Sequence, residues 1–405
     1  MDFSKLDDLQ KRTFNYFQSY TNLDENSRGF GLSVDHSKRA EIASIASTGF
    51  FLSSLVIGVS QNYISYDKAY RQAYLTLKTL MYNVPNYHGF FFHFLDINTA
   101  ERYKKNEVST IDTALCLCGV ATVASFFKGE IEILADQIMN RVDWKHFIFE
   151  KNDKTLLHMA FNPDIDGDYI KKDPGFIHQW DMFAEQLMMY LFVADRKPEK
   201  AVELYNGFDR MKAKYDQFEF IMTPGNTLFV YQFPLAWLDL KNVVDDQNIS
   251  WFDNAKIATL VHQKCSLDYR DVYHTFSESF FGFTASDTPN GYRVFHGLPN
   301  AFNELKTDGT VSPCSALGSF PFTPEISYKA FLDMLKIDGL YGPFGFYDAF
   351  NLEGGKTWIS ERYYGINQGL ILLMVDAVLN QSVYHAFMSH KSIIKGMEVL
   401  KWKRK

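Results

Sequence analysis

The chain has 405 residues and a formal net charge of −7, with 41 Lys and Arg against 48 Asp and Glu. This charge excludes most proteins that bind a nucleic-acid backbone, since they need a net basic surface. Hydrophobic residues make up 46% of the chain and aromatic residues 16%, while Gly (24) and Pro (12) are few. Such a composition excludes a disordered chain and predicts long helices around a thick aromatic core.

Residues 1–8 lack the basic and apolar regions of a secretion signal, so we expect a cytoplasmic protein with no membrane partner. Ile42–Val59 has 18 residues without a charge, which is long enough to cross a bilayer, but its Ser and Thr residues favour a buried helix. The cysteines lack the spacing of a zinc site or a disulfide framework, and we expect free thiols and neither metal nor cofactor: Cys116, Cys118, Cys265 and Cys314.

Two kinds of predicted helix alternate along the chain. Helices of the first kind carry almost no charge, and a helix that is apolar all round is buried on all sides. These predicted inner helices are Ala40–Val59, Ser109–Phe127, Asp181–Ala194, Leu228–Leu240, Asn367–Leu379 and the shorter Ser312–Phe320.

Helices of the second kind are amphipathic and are predicted to lie outside the first. In Tyr66–Tyr82, for example, apolar residues recur at helical spacing, and Ser65 is placed to cap the first turn. The other predicted outer helices are Glu130–Val142, Glu199–Tyr215, Asp253–Tyr269 and Pro324–Lys336.

Alternating inner and outer helices predict an all-α fold, an α/α six-hairpin toroid of six inner and six outer helices that forms one domain over residues 1–405. Two irregular segments interrupt it, Leu156–Pro174 (a candidate small hairpin) and Thr284–Ser312, and both are long enough to be functional loops. The basic residues 401–405 are expected to form a solvated tail after a last helix.

Polar residues of the inner helices gather at the helix starts, in Asn106–Asp112, Trp180–Glu185 and Tyr363–Gln368. If the inner helices run parallel in a ring, these starts meet at one mouth, where free N–H groups favour oxygen-rich ligands. Glu185 stands in an apolar run, where burial raises the pKa of a carboxyl and suits it to general-acid catalysis. Glu107 and Asp112 are either mouth residues or helix caps.

Aromatic residues are frequent near these carboxylates, in Tyr341–Phe350 and Tyr363–Tyr364, and such faces suit the C–H faces of sugar rings. Further acceptors lie in Ser277–Gly282 and Thr284–Asp287. No phosphate-binding glycine loop, zincin motif or nucleophile elbow is present, which disfavours nucleotide, zinc-protease and triad-hydrolase chemistry.

Several ordered motifs resemble one known family. Gly89–Asp96 reads GFFFHFLD against the family's GFFYHFLD, and Glu107–Leu115 (EVSTIDTAL) matches its most recognisable motif. Further matches are Ala43–Phe50, Trp180–Ala194, Gly282–Asp287, Asp308–Val311, Gly345–Asn351 and Tyr364–Gly369. The chain thus resembles the glucoamylase-like family, which contains glycoside hydrolase family 144 and the related catalytic domain of cyclic β-1,2-glucan synthases.

The resemblance implies an α/α six-barrel that hydrolyses or transfers glucosides of a β-glucan or its oligosaccharides, with β-1,2 linkages. We expect Glu185 and Glu107 to be the catalytic carboxylates. The expected substrate-binding residues are Asp112, Trp180, Trp237, Glu278, Asp287, Phe346, Asp348, Tyr364, Asn367 and Gln368.

Some positions depart from the family pattern. Asn367 replaces the Asp of the family's GIDQG motif, two histidines are lost around Tyr231–Trp237, and Glu278–Gly282 reads ESFFG for ENSWG. Because an Asn cannot act as a base, three hypotheses stay open: a glycoside hydrolase, a transglycosylase on the same barrel, and a carbohydrate-binding protein without catalysis.

Overall fold

A computed structural model describes residues 3–164 and 175–405 of the chain. Fourteen α-helices lie in this part: α1 Ser4–Tyr20, α2 Ile45–Ser60, α3 Tyr66–Tyr82, α4 Thr110–Phe127, α5 Gly129–Arg141, α6 Leu187–Arg196, α7 Pro198–Gly207, α8 Phe229–Gln232, α9 Trp251–Asp268, α10 Pro313–Leu317, α11 Pro324–Met334, α12 Gly365–Leu379, α13 Ser382–Met388 and α14 Lys391–Val399. Short 3₁₀ turns occur at Trp144–Phe147, Pro234–Ala236 and Glu353–Gly355.

The strands are short and lie in the segments that connect the helices. They are β1 Ile42–Ser44, β2 Asn86–Tyr87, β3 Phe90–Phe91, β4 Phe94–Asp96, β5 Val108–Ser109, β6 Ile148–Lys151, β7 Lys154–Phe161, β8 Phe176–Gln179, β9 Met211–Tyr215, β10 Phe218–Met222, β11 Val243–Val244, β12 Ala285–Ser286, β13 Arg293–Val294, β14 Tyr341–Gly342, β15 Gly345–Phe346, β16 Phe350–Asn351, β17 Trp358–Ile359 and β18 Lys403–Arg404.

The strands pair antiparallel in small sheets, and no sheet of the described residues closes into a barrel. Seven sheets have two strands each: β1–β4, β2–β3, β9–β10, β11–β18, β12–β13, β14–β15 and β16–β17. The one larger sheet has the order β5–β7–β6, with β8 also on β7. The fold is therefore helix-rich, as the alternating pattern predicts.

The core lies between the helices that carry almost no charge. Helix α2 packs against both α4 and α12, and nearly all its side chains are buried. A Cβ added to Gly119 of α4 would lie 2.1 Å from the carbonyl oxygen of Gly49 in α2, so the two backbones touch. The amphipathic helices cover this core, α3 and α5 packing together and α1 packing on α12.

Local signals confirm several predicted helix ends. The Ser65 hydroxyl accepts a hydrogen bond from the Lys68 amide at the start of α3, and Pro324 stands in the first turn of α11. The predicted buried helix near Ile42–Val59 is α2, although Ile42–Ser44 forms β1 instead and Ser44 caps the helix. All four cysteines are buried and free.

Other predicted boundaries are wrong, for identifiable reasons. Leu228–Leu240 breaks into α8 and a 3₁₀ turn because Pro234 cannot donate to a helical hydrogen bond. Glu199–Tyr215 is helical only to Gly207, and its end pairs as β9 with β10. In Asp181–Ala194 the helix begins at Leu187, since the Gln186 side chain accepts from the Ala184 amide and donates to the Met182 carbonyl.

The chain ends differ from expectation too. The sequence pattern did not predict α1. In the expected solvated tail, Lys403 and Arg404 pair as β18 with β11, although the side chains of Lys401, Lys403, Arg404 and Lys405 are exposed. Of the expected hairpin Leu156–Pro174, the described part belongs mainly to β7, which pairs with β6 before this segment and with β8 after it, and residues 165–174 lie outside the described part.

By length and hydropathy alone, α4 could cross a membrane, as could α12 and α13 taken as one bent pair. In this fold 78% of the apolar stretch of α4 is buried, and a core helix passes the same test.

Candidate active site

A cavity of about 390 Å³ opens where three helices start. Asp112 comes from the first turn of α4, Glu185 precedes α6 by two residues, and Tyr364 precedes α12. The cavity lining is completed by Asp35, His36, His93, Phe94, Ile111, Leu115, Phe229, Phe233, Tyr292 and Ile366. Three carboxylates and two imidazoles thus share one aromatic-walled space.

Glu185 is a buried carboxyl of the cavity with a raised pKa. Burial raises its pKa from 4.5 to about 7, and the charge of Asp112 acts in the same direction. Its position just before α6 leaves the side chain in the cavity rather than on a helix face. A carboxyl that keeps its proton near neutral pH can donate it to a leaving group.

His93 stands between two carboxylates. Its Nδ1 lies 2.9 Å from Glu107 Oε1 and its Nε2 lies 3.6 Å from Asp112 Oδ1, and the ring stacks on Phe94 at 3.8 Å. Burial opposes the imidazolium, but Asp112, Glu107 and Asp35 outweigh it and raise the His93 pKa to about 9. In turn, the hydrogen bond from His93 lowers the pKa of Glu107.

Glu107 therefore reaches the cavity only through His93. It does not line the cavity, and its side chain is 33% exposed on the other side of the imidazole. Asp112 does line the cavity, and at the same time it accepts from the Ser109 hydroxyl while its own amide donates to that hydroxyl. Asp112 is thus both a cavity residue and part of the helix start.

Asp35 completes the set of carboxylates. Burial raises its pKa from 3.8 to about 6, with His93 opposing and Asp112 adding to the shift. Its carbonyl accepts from the Gly365 amide at 2.8 Å, which ties the segment after α1 to the start of α12.

Several cavity residues escaped the sequence analysis. His93 lies in the Gly89–Asp96 motif, but the motif alone predicts no role for it. The available signal was that a histidine stands near acidic segments of the chain. Asp35, His36 and Tyr292 had no signal in the chain, because only the tertiary fold brings their loops to the helix starts.

Five expected substrate-binding residues do not line the cavity: Trp180, Asp287, Asp348, Asn367 and Gln368. Trp180 is buried, and its Nε1 donates to the Thr110 hydroxyl at 3.0 Å. Asn367 donates to Asp348 Oδ1 at 2.7 Å, and Gln368 donates to the Phe346 carbonyl at 2.8 Å. Asp287 accepts from Arg362 at 2.6 Å.

This buried network influences the cavity by charge. Burial raises the pKa of Asp348 to about 7, while the Asp287 amide and Asn367 stabilise its ionised form. After burial itself, Asp348 and Asp287 are the largest causes that raise the pKa of Tyr364, a cavity residue.

Three expected sugar contacts are corrected by their positions. Trp237 is 0% exposed and donates from Nε1 to the Ser53 hydroxyl at 2.9 Å, deep between helices. Phe346 is also 0% exposed and packs on Phe331. Glu278 faces solvent and pairs with Lys329 at 3.0 Å. None of the three can touch a ligand in the cavity.

Among residues 3–164 and 175–405, no group of three or more His, Cys, Asp or Glu side chains is arranged to hold a metal ion.

Solved structures with this fold include helical glucanases. An endo-β-1,2-glucanase from Chitinophaga pinensis, in complex with sophorotriose and glucose, superposes with a TM-score of 0.83 at 21% identity and covers 98% of this chain and 97% of its own. A β-1,2-glucanase from Parabacteroides distasonis gives 0.85 at 22% identity, covering 99% of this chain and 60% of its own. At this identity the likeness defines the fold class.

The family model "Glycoamylase: Putative glucoamylase" matches residues 177–391, which is more than half of the chain. The chain belongs to this family, and the family predicted from the motifs is confirmed.

A curated relative from Parabacteroides distasonis, named exo β-1,2-glucooligosaccharide sophorohydrolase (non-reducing end), is 24% identical over 98% of this chain. The match spans 58% of the relative's length.

Proposed function

We propose that the protein is a glycoside hydrolase that cleaves glucosidic bonds of β-1,2-linked glucan or its oligosaccharides. The observation that carries this proposal is the Glu185 carboxyl, whose pKa of about 7 places a protonated acid beside two further carboxylates in an aromatic-walled cavity. The family and the named activities of the relatives from Parabacteroides and Chitinophaga support the linkage.

The finer architecture belongs to the same proposal. We infer a six-hairpin toroid in one domain over residues 1–405, with a ring of inner helices that opens at the cavity. The contacts of α2 with both α4 and α12 support this ring, because early and late parts of the chain meet there.

In this mechanism Glu185 donates its proton to the glycosidic oxygen as the bond from that oxygen to C1 breaks. Asp112 is the second carboxylate, and it acts on C1 in one of two ways. It takes a proton from the water that attacks C1, which inverts the anomer, or it attacks C1 itself and water later releases the sugar with retention. Glu107, expected to be the second catalytic carboxylate, in this proposal orients His93 towards Asp112 instead.

The aromatic wall would hold the sugar rings. Tyr292 and Tyr364 lie with ring centroids 4.9 Å apart, and Phe94 faces the same space. Sugar rings present apolar C–H faces that such side chains cover, while the carboxylates accept hydrogen bonds from the hydroxyls.

The test is incubation of the protein with sophorose, β-1,2-glucan and maltose, with NMR of the anomer first released. We expect β-1,2 substrates alone to be cleaved, and Glu185→Gln to lower kcat by about 10³-fold. Glu219→Gln, an exposed carboxylate on β10, is the matched control and should keep full activity. Full activity of Glu185→Gln, or cleavage of maltose alone, would overturn the proposal.

Two other candidates are separated by the same experiment. Products longer than the substrate would identify a transglycosylase, and tight binding without any cleavage a carbohydrate-binding protein. Asn367 is 3% exposed and does not line the cavity, so its replacement of the family's Asp removes no carboxylate from the lining. The position of Asn367 therefore favours a hydrolase over a carbohydrate-binding protein without catalysis.

A further inference from the structure

A second cleft adjoins the candidate active site. It has a volume of about 610 Å³, and its walls include Lys38, Asp287, Thr288, Trp358, Glu361 and Arg362. None of these six residues lines the cavity that holds Glu185.

Three segments of the chain line both spaces. The first contributes His36 to the cavity and Lys38 to the cleft, and the second contributes Tyr292 to the cavity and Gly291 to the cleft. The third contributes Tyr364 to the cavity and Arg362 to the cleft. The cleft and the cavity are therefore neighbours, built by the same three segments of the chain.

Hydrogen bonds join these segments. His36 and Tyr364 form an antiparallel bridge, and the Ser37 amide donates to the Tyr363 carbonyl at 3.0 Å. Rings of His36 and Tyr292 flank Tyr364 at 5.0 and 4.9 Å, so a row of aromatic faces stands between the two spaces.

Hydrogen bonds hold the polar groups around Asp287 at the cleft wall. Asp287, whose side chain is 3% exposed, accepts from Arg362 at 2.6 Å and from the Ser360 hydroxyl at 2.7 Å. The Arg362 carbonyl in turn accepts from the Asp348 amide at 3.0 Å. A ligand would meet groups that are already held in place, which limits the entropy lost on binding.

The charges of the cleft select a neutral ligand. Lys38 pairs with Glu361 at 2.9 Å, and Arg362 pairs with Asp287, so each cation already faces a carboxylate. A phosphate or another anion would have to compete with these carboxylates. A polyhydroxy ring, by contrast, can accept from the cations and donate to the anions at once.

Trp358 supplies the apolar surface that such a ring needs. The other tryptophans of the chain are buried at 6% exposure or less: Trp144, Trp180, Trp237, Trp251 and Trp402. Trp358 alone is half-buried, at the cleft wall on β17. An indole left partly open beside paired polar groups is the surface that sugars cover.

We propose that this cleft is a further saccharide-binding site, which holds glucosyl units of the same glucan whose scissile bond lies in the cavity, with Trp358 as the stacking platform. The inference rests on the proposed function, and it makes the protein selective for chains long enough to fill both spaces.

Fluorescence tests this site directly, because acrylamide reaches Trp358 and not the buried tryptophans. The Glu185→Gln protein is titrated with β-1,2-linked gluco-oligosaccharides of increasing length, starting from sophorose. We expect the longer chains to lower the acrylamide quenching constant severalfold and sophorose to leave it unchanged. Trp358→Phe should remove the quenchable fraction and thereby identify the reporting side chain.

Kinetics give an independent reading. Trp358→Ala is expected to raise KM about tenfold for long substrates, the effect of losing one aromatic face from an apolar contact, and to spare the shortest substrate that is cleaved. Trp358→Phe should restore most of the loss. Tyr82→Ala, a 65% exposed aromatic on α3, is the matched control.

The outcomes separate the two proposals. If no β-1,2-linked chain is cleaved or alters the fluorescence, the proposed function fails and this inference fails with it. If long chains are cleaved while Trp358 stays open to acrylamide, or if Trp358→Ala affects all lengths equally, the cleft is not a saccharide site and the proposed function stands.

Discussion

At the scale of single residues, the chemistry of the cavity depends on how carboxyl groups share protons with His93. Glu107 and Asp112 hold the imidazole from its two nitrogens, and Asp35 adds a third negative charge. His93, with a pKa of about 9, stays protonated at neutral pH and places a positive charge in the cavity that also holds the Glu185 carboxyl, whose pKa is about 7. The surroundings of each carboxyl group thus decide whether it acts as an acid or as a base.

These pKa values predict the pH profile of the reaction. Glu185 must carry a proton to act as the acid, so kcat/KM should fall as pH rises above about 7. Asp35, whose pKa is about 6, loses its proton as the pH rises through that value. A profile that stays flat to pH 9 would contradict the assignment of Glu185.

The Glu107→Gln variant tests the link through His93. Removing the carboxylate at 2.9 Å lowers the His93 pKa, and once the pKa lies below the pH, each further unit of that fall lowers the protonated fraction of His93 about tenfold. We expect a roughly tenfold loss of kcat/KM at pH 8 and little loss at pH 5.5, where His93 keeps its proton in both proteins.

The other groups around His93 and Glu107 are unchanged in this variant: Asp35, Asp112, Arg39 and Arg102. Glu101→Gln, an exposed carboxylate of the same loop, is the control. An equal loss at both pH values would mean that Glu107 has only a structural role.

At the scale of elements, the site depends on helices that pack close enough for their starts to meet. Helices α2 and α4 touch through Gly49 and Gly119, where backbone meets backbone. The scarcity of charge in α2 and α4 predicts that both helices are buried. The short distance between the two helices depends on Gly49 and Gly119, because a glycine carries no Cβ.

Gly119→Ala should therefore destabilise the protein strongly. The new Cβ would lie 2.1 Å from the Gly49 carbonyl oxygen, and a helix backbone cannot move aside alone, so we expect a loss of about 3 kcal/mol in the free energy of unfolding. Gly129→Ala is the control, since its Cβ meets nothing and only its φ of +59° costs about 1 kcal/mol. Denaturant unfolding measures both, and equal losses would contradict the close helix contact.

At the scale of the whole molecule, the two ends of the chain complete one structure. Helix α1 packs on α12 and on β15, and β18 pairs with β11 in the middle of the chain. These contacts of early and late segments with the middle of the chain support the proposal of a single domain.

Phe17→Ala tests this unity. Phe17 of α1 is 0% exposed, and its removal should lower stability by about 3–5 kcal/mol. We expect the thermal midpoints of near-UV circular dichroism and of activity to fall together, while Phe3→Ala, at a 41% exposed position, changes neither. Separate transitions for the two signals would show that α1 belongs to an independent unit.

The sequence by itself determined the helix-rich class, the family and many helix positions. The family followed from the resemblance of ordered motifs. The helix-rich class and the helix positions follow from local physics, because a long run with almost no charge must be buried, and Ser65 or Pro324 marks a helix start through its own backbone geometry. The importance of Glu185 was visible for the same reason, as a carboxyl inside an apolar run. The cytoplasmic location stays a prediction.

Only the tertiary structure decided which side chains share the cavity. Glu107 proved to stand behind His93, Trp237 to point into the core, and Asp35 and Tyr292 to reach the site from distant loops. Side-chain direction depends on the packing of elements far apart in the chain, and a one-dimensional pattern holds no record of that packing. The aromatic content that predicts a thick core therefore could not reveal that Trp358 is the one tryptophan left partly open at a cleft.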